Sequence, residues 1–220
     1  MPKLLLYVVT AALLLAAPLT RADVIGTPTN PCINDSCDGA QYTLLYNGQA
    51  LPDSNPLTET FRISLNVDTK NYTGGGSLLN DVAIKVSSTP NLVGASLFSA
   101  PGGTGDWTIG LNQTINANGC NANGGGGFIC AAGTANSGKG VALPGPYTFM
   151  FDVTVNNGTL FTDPLEASIK ARYVDDAGTK TGSLLSENIT LQVVPEAETY
   201  AILALGLGFL GIAACRRKSI

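Results

Sequence analysis

Carboxylates are the side chains in this sequence best placed to do acid–base chemistry, because the chain contains no histidine. Without histidine, neither a Ser-His-Asp nor a Cys-His nucleophile system can be built, which excludes hydrolases of those types. A pair of acids could still serve glycoside hydrolysis. The acids available in the strand-rich half are Asp152, Glu166, Asp175 and Asp176.

The positions of these four acids argue against catalysis. Asp152 and Glu166 alternate with apolar residues and have Thr and Ser neighbours, which is the pattern of a solvated sheet surface. Asp175 and Asp176 lie in a predicted hairpin turn, where Asp favours local backbone hydrogen bonds. Calcium binding at this turn stays open, although the spacing lacks the alternating oxygen ligands of a calcium loop. We predict no catalytic residue, no metal site, no cofactor and no enzymatic activity.

The N-terminus has the three parts of a secretory signal peptide. Lys3 gives a positive start, Leu4 to Ala17 form an apolar run, and Thr20-Arg21-Ala22 is a small-x-small boundary. We expect export through the Sec translocon and cleavage between Ala22 and Asp23, with an uncleaved anchor as the alternative. Residues 1–22 are therefore set apart from residues 23–194, which have the size of one domain.

The C-terminus also contains three segments in a fixed order. Val194-Pro195-Glu196-Ala197 is followed by an uncharged apolar run from Tyr200 to Ala214, and then by Arg216, Arg217 and Lys218. At 1.5 Å per residue, the run reaches only about 22 Å against a hydrocarbon core of about 30 Å, so it is a short transmembrane helix. The basic cluster places the C-terminus in the cytoplasm and everything before Pro195 outside.

This arrangement closely resembles the PEP-CTERM sorting signal, which is found on exported proteins of Gram-negative bacteria that make exopolysaccharide. In that family an exosortase, a membrane-embedded Cys-dependent processing enzyme, recognises the Pro-Glu pair. The resemblance implies that Pro195 and Glu196 are the recognition pair and that residues 200–214 hold a precursor transiently in the inner membrane. The third motif residue, commonly Pro, is Ala197, which leaves the cleavage point open. An unprocessed single-pass anchor is the alternative.

Cysteine usage agrees with export. Cys215 lies in the tail, and four cysteines remain in the body. An even number in a secreted domain indicates disulfides. Of the three connectivities we favour Cys32 with Cys37 and Cys120 with Cys130, because each pair closes a turn-rich loop. A zinc site is the alternative, but the C-x4-C and C-x9-C spacings match zinc sites poorly.

The body is acidic. Without the five basic and two acidic residues of the terminal segments, 7 basic and 14 acidic residues remain, a net charge near −7. Such a surface repels nucleic acid and anionic lipid. We therefore expect no nucleic-acid partner.

Apolar residues of the body recur with a period of two, which indicates half-buried strands. In the clearest runs Arg62, Lys85, Asp152, Lys170 and Arg172 are predicted to face outward. Trp107 could offer a platform for sugars, but a lone Trp in a sandwich is usually core. Nine strands are predicted: Gln41–Tyr46, Phe61–Val67, Val82–Val86, Leu92–Ser99, Trp107–Leu111, Gly127–Ala131, Tyr147–Val155, Leu165–Tyr173 and Leu185–Val193.

Strands without helical periodicity, separated by turn signals, predict an all-β fold. We expect an antiparallel β-sandwich or jelly roll of about eight to nine strands. A parallel β-helix is the alternative, but the sequence has no fixed repeat. The Asn/Gly stretch from Asn116 to Gly126 is predicted to be a long surface loop rather than a strand.

These features predict an exported, non-enzymatic cell-surface or extracellular-matrix protein. Its role would be structural or adhesive in the exopolysaccharide layer, with exosortase, the Sec translocon and exopolysaccharide as partners. A secreted carbohydrate-binding module is the first alternative, and a glycan-active enzyme the second.

Overall fold

The structure is a computed structural model, and it describes residues 24–33, 36–86, 92–121, 127–134, 140–158, 167–181, 185–190 and 192–193. The predicted signal peptide with its Ala22–Asp23 cleavage point lies outside these ranges. So do Pro195, Glu196 and Ala197, the helix over 200–214, and the basic cluster Arg216, Arg217 and Lys218. Within the described ranges, no helix has the length and apolar character needed to cross a membrane.

The described ranges contain fourteen strands, and a 3-10 turn lies at Thr104–Asp106. The strands are Val24–Ile25 (β1), Gln41–Leu51 (β2), Thr58–Asp68 (β3), Leu78–Lys85 (β4), Leu92–Ser99 (β5), Trp107–Leu111 (β6), Thr114–Asn116 (β7), Gly119–Asn121 (β8), Ile129–Gly133 (β9), Val141–Ala142 (β10), Pro146–Asn156 (β11), Ser168–Val174 (β12), Leu185–Asn188 (β13) and Gln192–Val193 (β14). The excess over the predicted number comes mainly from strands of two or three residues, which are too short to show a period.

Two sheets form a sandwich. The first sheet has the order β1-β2-β3-β11-β5, and β14 also pairs with β2. The second sheet has the order β13-β12-β4-β9-β6, and β10 also pairs with β4. The pairs are antiparallel except for β14 with β2. The predicted all-β, antiparallel sandwich is therefore confirmed.

Alternating apolar residues fill the space between the sheets. On β3 and β11 the buried residues face one another in register, with Ile63 opposite Phe151 and Leu65 opposite Phe149. Burying each such side chain contributes roughly 1.5–3 kcal/mol. Trp107 is buried, packs edge-on against Phe149 at 4.8 Å between ring centroids, and donates its indole N–H to the Pro101 carbonyl at 2.8 Å. Its predicted place in the core is confirmed.

A hydrogen bond between two buried tyrosines links the sheets. Tyr42 of β2 and Tyr173 of β12 share a bond between their hydroxyl groups, and the ring of Tyr72 stacks on Tyr173 at 4.2 Å. Burial raises the pKa of Tyr72 to about 12 and raises the pKa values of Tyr42 and Tyr173 as well. All three side chains are therefore neutral at physiological pH.

Both disulfides have the local pairing that the sequence favours, Cys32 with Cys37 and Cys120 with Cys130. The first loop is fastened to β13 by Glu187, whose Oε1 accepts hydrogen bonds from the Ile33 N–H, at 3.0 Å, and from the Ser36 hydroxyl. This contact explains why an acidic residue is buried at the sheet edge.

The prediction of a loop over Asn116 to Gly126 is wrong for part of that range. Strands β7 and β8 pair as a hairpin, with Ile115 opposite Cys120. Ile115 is buried with Ala83 of β4 and Cys130 of β9 in a second, smaller core. The hairpin thus covers the outer face of the second sheet, so β4 is buried on both faces and not on one as its alternation suggested.

Two further predictions need correction. The strand predicted over Leu185–Val193 is two strands, since β13 belongs to the second sheet and β14 to the first. The crossing begins at Ile189, whose N–H bonds to the Ala167 carbonyl. Arg172, predicted to face solvent, does lie on the outer side of its sheet but is buried, because the β7–β8 hairpin covers it.

Candidate functional site

The strongest candidate site is on the outer face of the first sheet, where β3, β11 and β5 run side by side. Arg62 on β3 is directly opposite Asp152 on β11, and Asp152 is opposite Ser96 on β5. The neighbours of Arg62 and Asp152 along their strands point into the core. The strict alternation therefore holds both polar side chains on the outer face, as the sequence predicts.

Arg62 and Asp152 form a bidentate ion pair. The Nε of Arg62 donates to Oδ1 of Asp152 at 2.8 Å, and Nη2 donates to Oδ2 at 2.9 Å. The side chains are 29% and 20% exposed. The hydrogen bonds that Asp152 accepts raise the pKa of Arg62. Asp152 is thus a paired acid, with hydrogen bonds to both of its oxygens, rather than the freely solvated one that the sequence suggested.

Phe98 lies over this ion pair. The Arg62 guanidinium carbon is 3.3 Å from the centroid of the Phe98 ring, which is a stacked cation–π contact. Even so, Phe98 remains 54% exposed. The ring therefore has one side on the guanidinium and a large area open to solvent.

A shift in strand register occurs at Phe98. Leu97 is opposite Phe151 and Ser99 is opposite Met150, so Phe98 is an extra residue without a partner on β11. Such bulges occur at sheet edges and re-aim side chains. Sequence reasoning missed Phe98, because β5 has apolar residues on both of its faces and so gives no pattern that marks the ring as outward-facing.

Hydroxyl and amide groups flank the stacked pair. The hydroxyls of Thr60 and Thr154 are 2.9 Å apart and hydrogen-bonded, and Thr148 donates to the side-chain oxygen of Asn66 at 2.8 Å. We call the set the polar platform. It consists of Thr60, Arg62, Asn66, Phe98, Thr148, Asp152 and Thr154. Its groups can hydrogen-bond to a hydroxylated ligand, and its ring can contact an apolar surface.

The other acidic candidates do not join the platform. Asp175 closes the turn after β12, where its Oδ1 accepts from the Thr179 N–H at 2.8 Å. Asp176 accepts from the Ser77 hydroxyl at 2.6 Å. Glu166 lies outside the described residues. Among the residues that the structure describes, no three His, Cys, Asp or Glu side chains are grouped so as to hold a metal ion.

Comparisons with known proteins give different results for the body of the chain and for its C-terminal residues. No curated protein matches the sequence. One solved structure, described as an uncharacterized protein from Nocardia farcinica with an immunoglobulin-like fold, is 10% identical. The alignment covers 66% of this chain and 98% of that chain, with a TM-score of 0.34. A similarity this weak adds nothing to the fold described above.

The C-terminal residues match a family model, the PEP-CTERM protein-sorting motif, over residues 193–218. The matched span includes Pro195, Glu196 and Ala197, the apolar run over 200–214, and the basic cluster Arg216, Arg217 and Lys218. The motif implies export with a membrane-anchor-type sorting signal in a Gram-negative bacterium. The chain therefore carries a PEP-CTERM sorting signal at residues 193–218, the mark of an extracellular protein that an exosortase processes.

Proposed function

We propose that the chain is a non-enzymatic protein of the extracellular polymer layer that attaches to exopolysaccharide through the polar platform of its first sheet. The sorting signal supports delivery to the outside of the cell. Its role there would be structural or adhesive, at the cell surface or in the matrix.

The observation that carries this proposal is the exposed Phe98 ring stacked on the Arg62–Asp152 pair. A sugar ring has an apolar C–H face and a rim of hydroxyl groups. The aromatic ring suits the face, while the threonine hydroxyls and the ion pair suit the rim. Each contact is weak, but a polymer repeats its sugars and so allows many weak contacts at once.

The same exposed ring favours a second candidate, a secreted carbohydrate-binding module. A module of that kind binds short oligosaccharides as well as polymer. A matrix protein that depends on multivalent contact binds the polymer only. A glycan array therefore separates the two.

Co-sedimentation with the cell's own exopolysaccharide tests the proposal. The full chain should sediment with the polymer, and Phe98→Ala should reduce the bound fraction. Leu57→Ala is the matched control, because Leu57 is a 74% exposed apolar residue in the turn before β3, outside the platform. Loss of the gene should weaken aggregates or attachment. Equal binding by both variants, or normal aggregates without the gene, would contradict the proposal.

Processing has its own test. In a host with its exosortase, the body should be released with its new C-terminus near Pro195. Changing Pro195→Ala together with Glu196→Ala should leave the chain in the inner membrane, because the recognition pair is missing. Mass spectrometry of the released protein gives the end point. A released chain that still ends in Arg216-Arg217 would show that this tail is not the substrate.

A further inference from the structure

The outer face of the second sheet carries two lysines beside one aromatic ring. Lys85 lies at the end of β4 opposite Ser168 of β12, and Lys170 of β12 lies opposite Ala83. The two lysines are thus diagonal neighbours on adjacent strands. Their ammonium nitrogens are 6.0 Å and 4.9 Å from the centroid of the Phe128 ring. Phe128 packs on the small core under the β7–β8 hairpin, so it is fixed in place.

Among the described residues, these lysines differ from the arginines of the body in having no acidic partner. Arg62 and Arg172 lie 2.8 Å and 3.0 Å from a carboxylate oxygen. Throughout the part of the chain that the structure describes, no carboxylate is within ion-pair distance of Lys85 or Lys170. The body has twice as many acidic as basic residues. Two neighbouring cations that no described carboxylate pairs with repel each other, and an anion relieves that repulsion.

Uncharged hydrogen-bonding side chains lie next to the two lysines on the neighbouring strands. Ser168 donates to Asn188 at 2.9 Å, and exposed Ser186 is opposite Lys170. Glu187, the acid on the same strand, is buried against the N-terminal disulfide loop. An extended surface across β4, β12 and β13 thus combines two ammonium groups, hydroxyls and an amide.

We propose that this surface, which we call the lysine face, binds the carboxylate groups of an acidic polysaccharide. The inference rests on the proposed function, in that it assumes contact with extracellular polymer, and it adds a second site with a different ligand chemistry. An anionic membrane is the less favoured ligand, because two lysines attract such a surface weakly and the acidic body is repelled by it. Because the polar platform and the lysine face lie on opposite sides of the sandwich, one molecule can bridge two polymer strands.

Binding of the full chain, held in phosphatidylcholine nanodiscs, to immobilised polygalacturonate and dextran tests the inference. Changing Lys85→Gln with Lys170→Gln should weaken binding to polygalacturonate about tenfold, because each exposed ion pair contributes a factor of a few. It should leave dextran binding unchanged. The control is Lys70→Gln with Lys180→Gln, which removes the same charge from two exposed positions elsewhere. Raising the salt concentration should abolish the difference between the two double variants.

The outcomes separate this inference from the proposed function. Equal loss in the two double variants would show that net charge alone matters, and would overturn the lysine face. Unchanged polygalacturonate binding, or stronger binding to phosphatidylglycerol vesicles than to polygalacturonate, would also overturn it. If Phe98→Ala still weakened dextran binding in those cases, the polar platform would stand. Wild-type chain that failed to bind polygalacturonate while it still sedimented with the cell's own exopolysaccharide would overturn the lysine face alone.

Discussion

The two sheets carry the same cross-strand pair in opposite surroundings. On the first sheet Arg62 is directly opposite Asp152, and on the second Arg172 is directly opposite Asp81. Both pairs are on the outer faces of their sheets. The first is open, with side chains 29% and 20% exposed, whereas the second lies beneath the β7–β8 hairpin at 10% and 3%.

Burial changes what such a pair does. Arg172 donates from Nη1 to Asp81 at 3.0 Å and to the side-chain oxygen of Asn80, and from Nε to the Ala117 carbonyl at 3.1 Å. It therefore fastens the tip of the hairpin to the sheet. Burial raises the pKa of Asp81, and the hydrogen bond and charge of Arg172 partly oppose this. The open pair needs no such support, so its groups and the Phe98 ring remain available to a ligand.

The largest effect we predict is for Arg172→Met. This change leaves Asp81 buried without its cation and should cost about 3–5 kcal/mol of unfolding free energy at neutral pH. Urea unfolding measures the loss. Arg62→Met is the matched control, because it removes the same side chain from the open pair. Similar losses in the two variants would mean that the hairpin does not shield the buried pair.

The loss in Arg172→Met should depend on pH. A carboxyl group whose folded pKa is raised contributes stability below its unfolded pKa and loses it as the pH rises through the folded pKa. Without Arg172 the pKa of Asp81 rises further, since only desolvation remains. The deficit should therefore shrink as the pH falls from about 7 to about 4, when Asp81 becomes protonated. A deficit that stayed constant with pH would assign the loss to packing instead.

The sequence predicts one of the two Arg–Asp pairs better than the other. Alternation on β3 and β11 places Arg62 and Asp152 on the outer face, and the structure agrees. The same rule places Arg172 in solvent, which is wrong. What covers it is a hairpin rich in Asn and Gly, whose composition is typical of loops. Alternation shows on which face of a sheet a residue lies. It does not show whether a segment from elsewhere in the chain covers that face.

A similar limit applies to function. The sorting signal is a linear pattern that acts through its own residues, so the sequence alone identified it. The polar platform depends on the contact between Phe98 of β5 and Arg62 of β3, two strands that β11 separates. No local pattern in Leu92–Ser99 predicts that contact. The disulfide pairing was predictable because each bond closes a short loop.

A smaller effect is expected from removing the bond that holds the cover. Cys120→Ser with Cys130→Ala opens a loop of ten residues and should lower the unfolding free energy by about 2–3 kcal/mol. The two substitutions change no residue of either Arg–Asp pair. If the hairpin detaches in the native state, amide hydrogens of β7 and β8 should exchange faster, while those of β3 and β11 should not. Equal acceleration in the two sheets would show global destabilisation instead.

The smallest effect on stability should come from Arg62→Met, since an exposed ion pair contributes about 0–1 kcal/mol. Its effect on binding should be larger, because the guanidinium both holds Asp152 with two hydrogen bonds and supports the Phe98 ring. The variant should therefore unfold almost like the wild type yet bind exopolysaccharide as weakly as Phe98→Ala. The double variant should be no weaker than either single one, because the two side chains act through one contact. Additive losses would mean that Arg62 and Phe98 contact the polymer independently, and wild-type binding by Arg62→Met would remove the ion pair from the site.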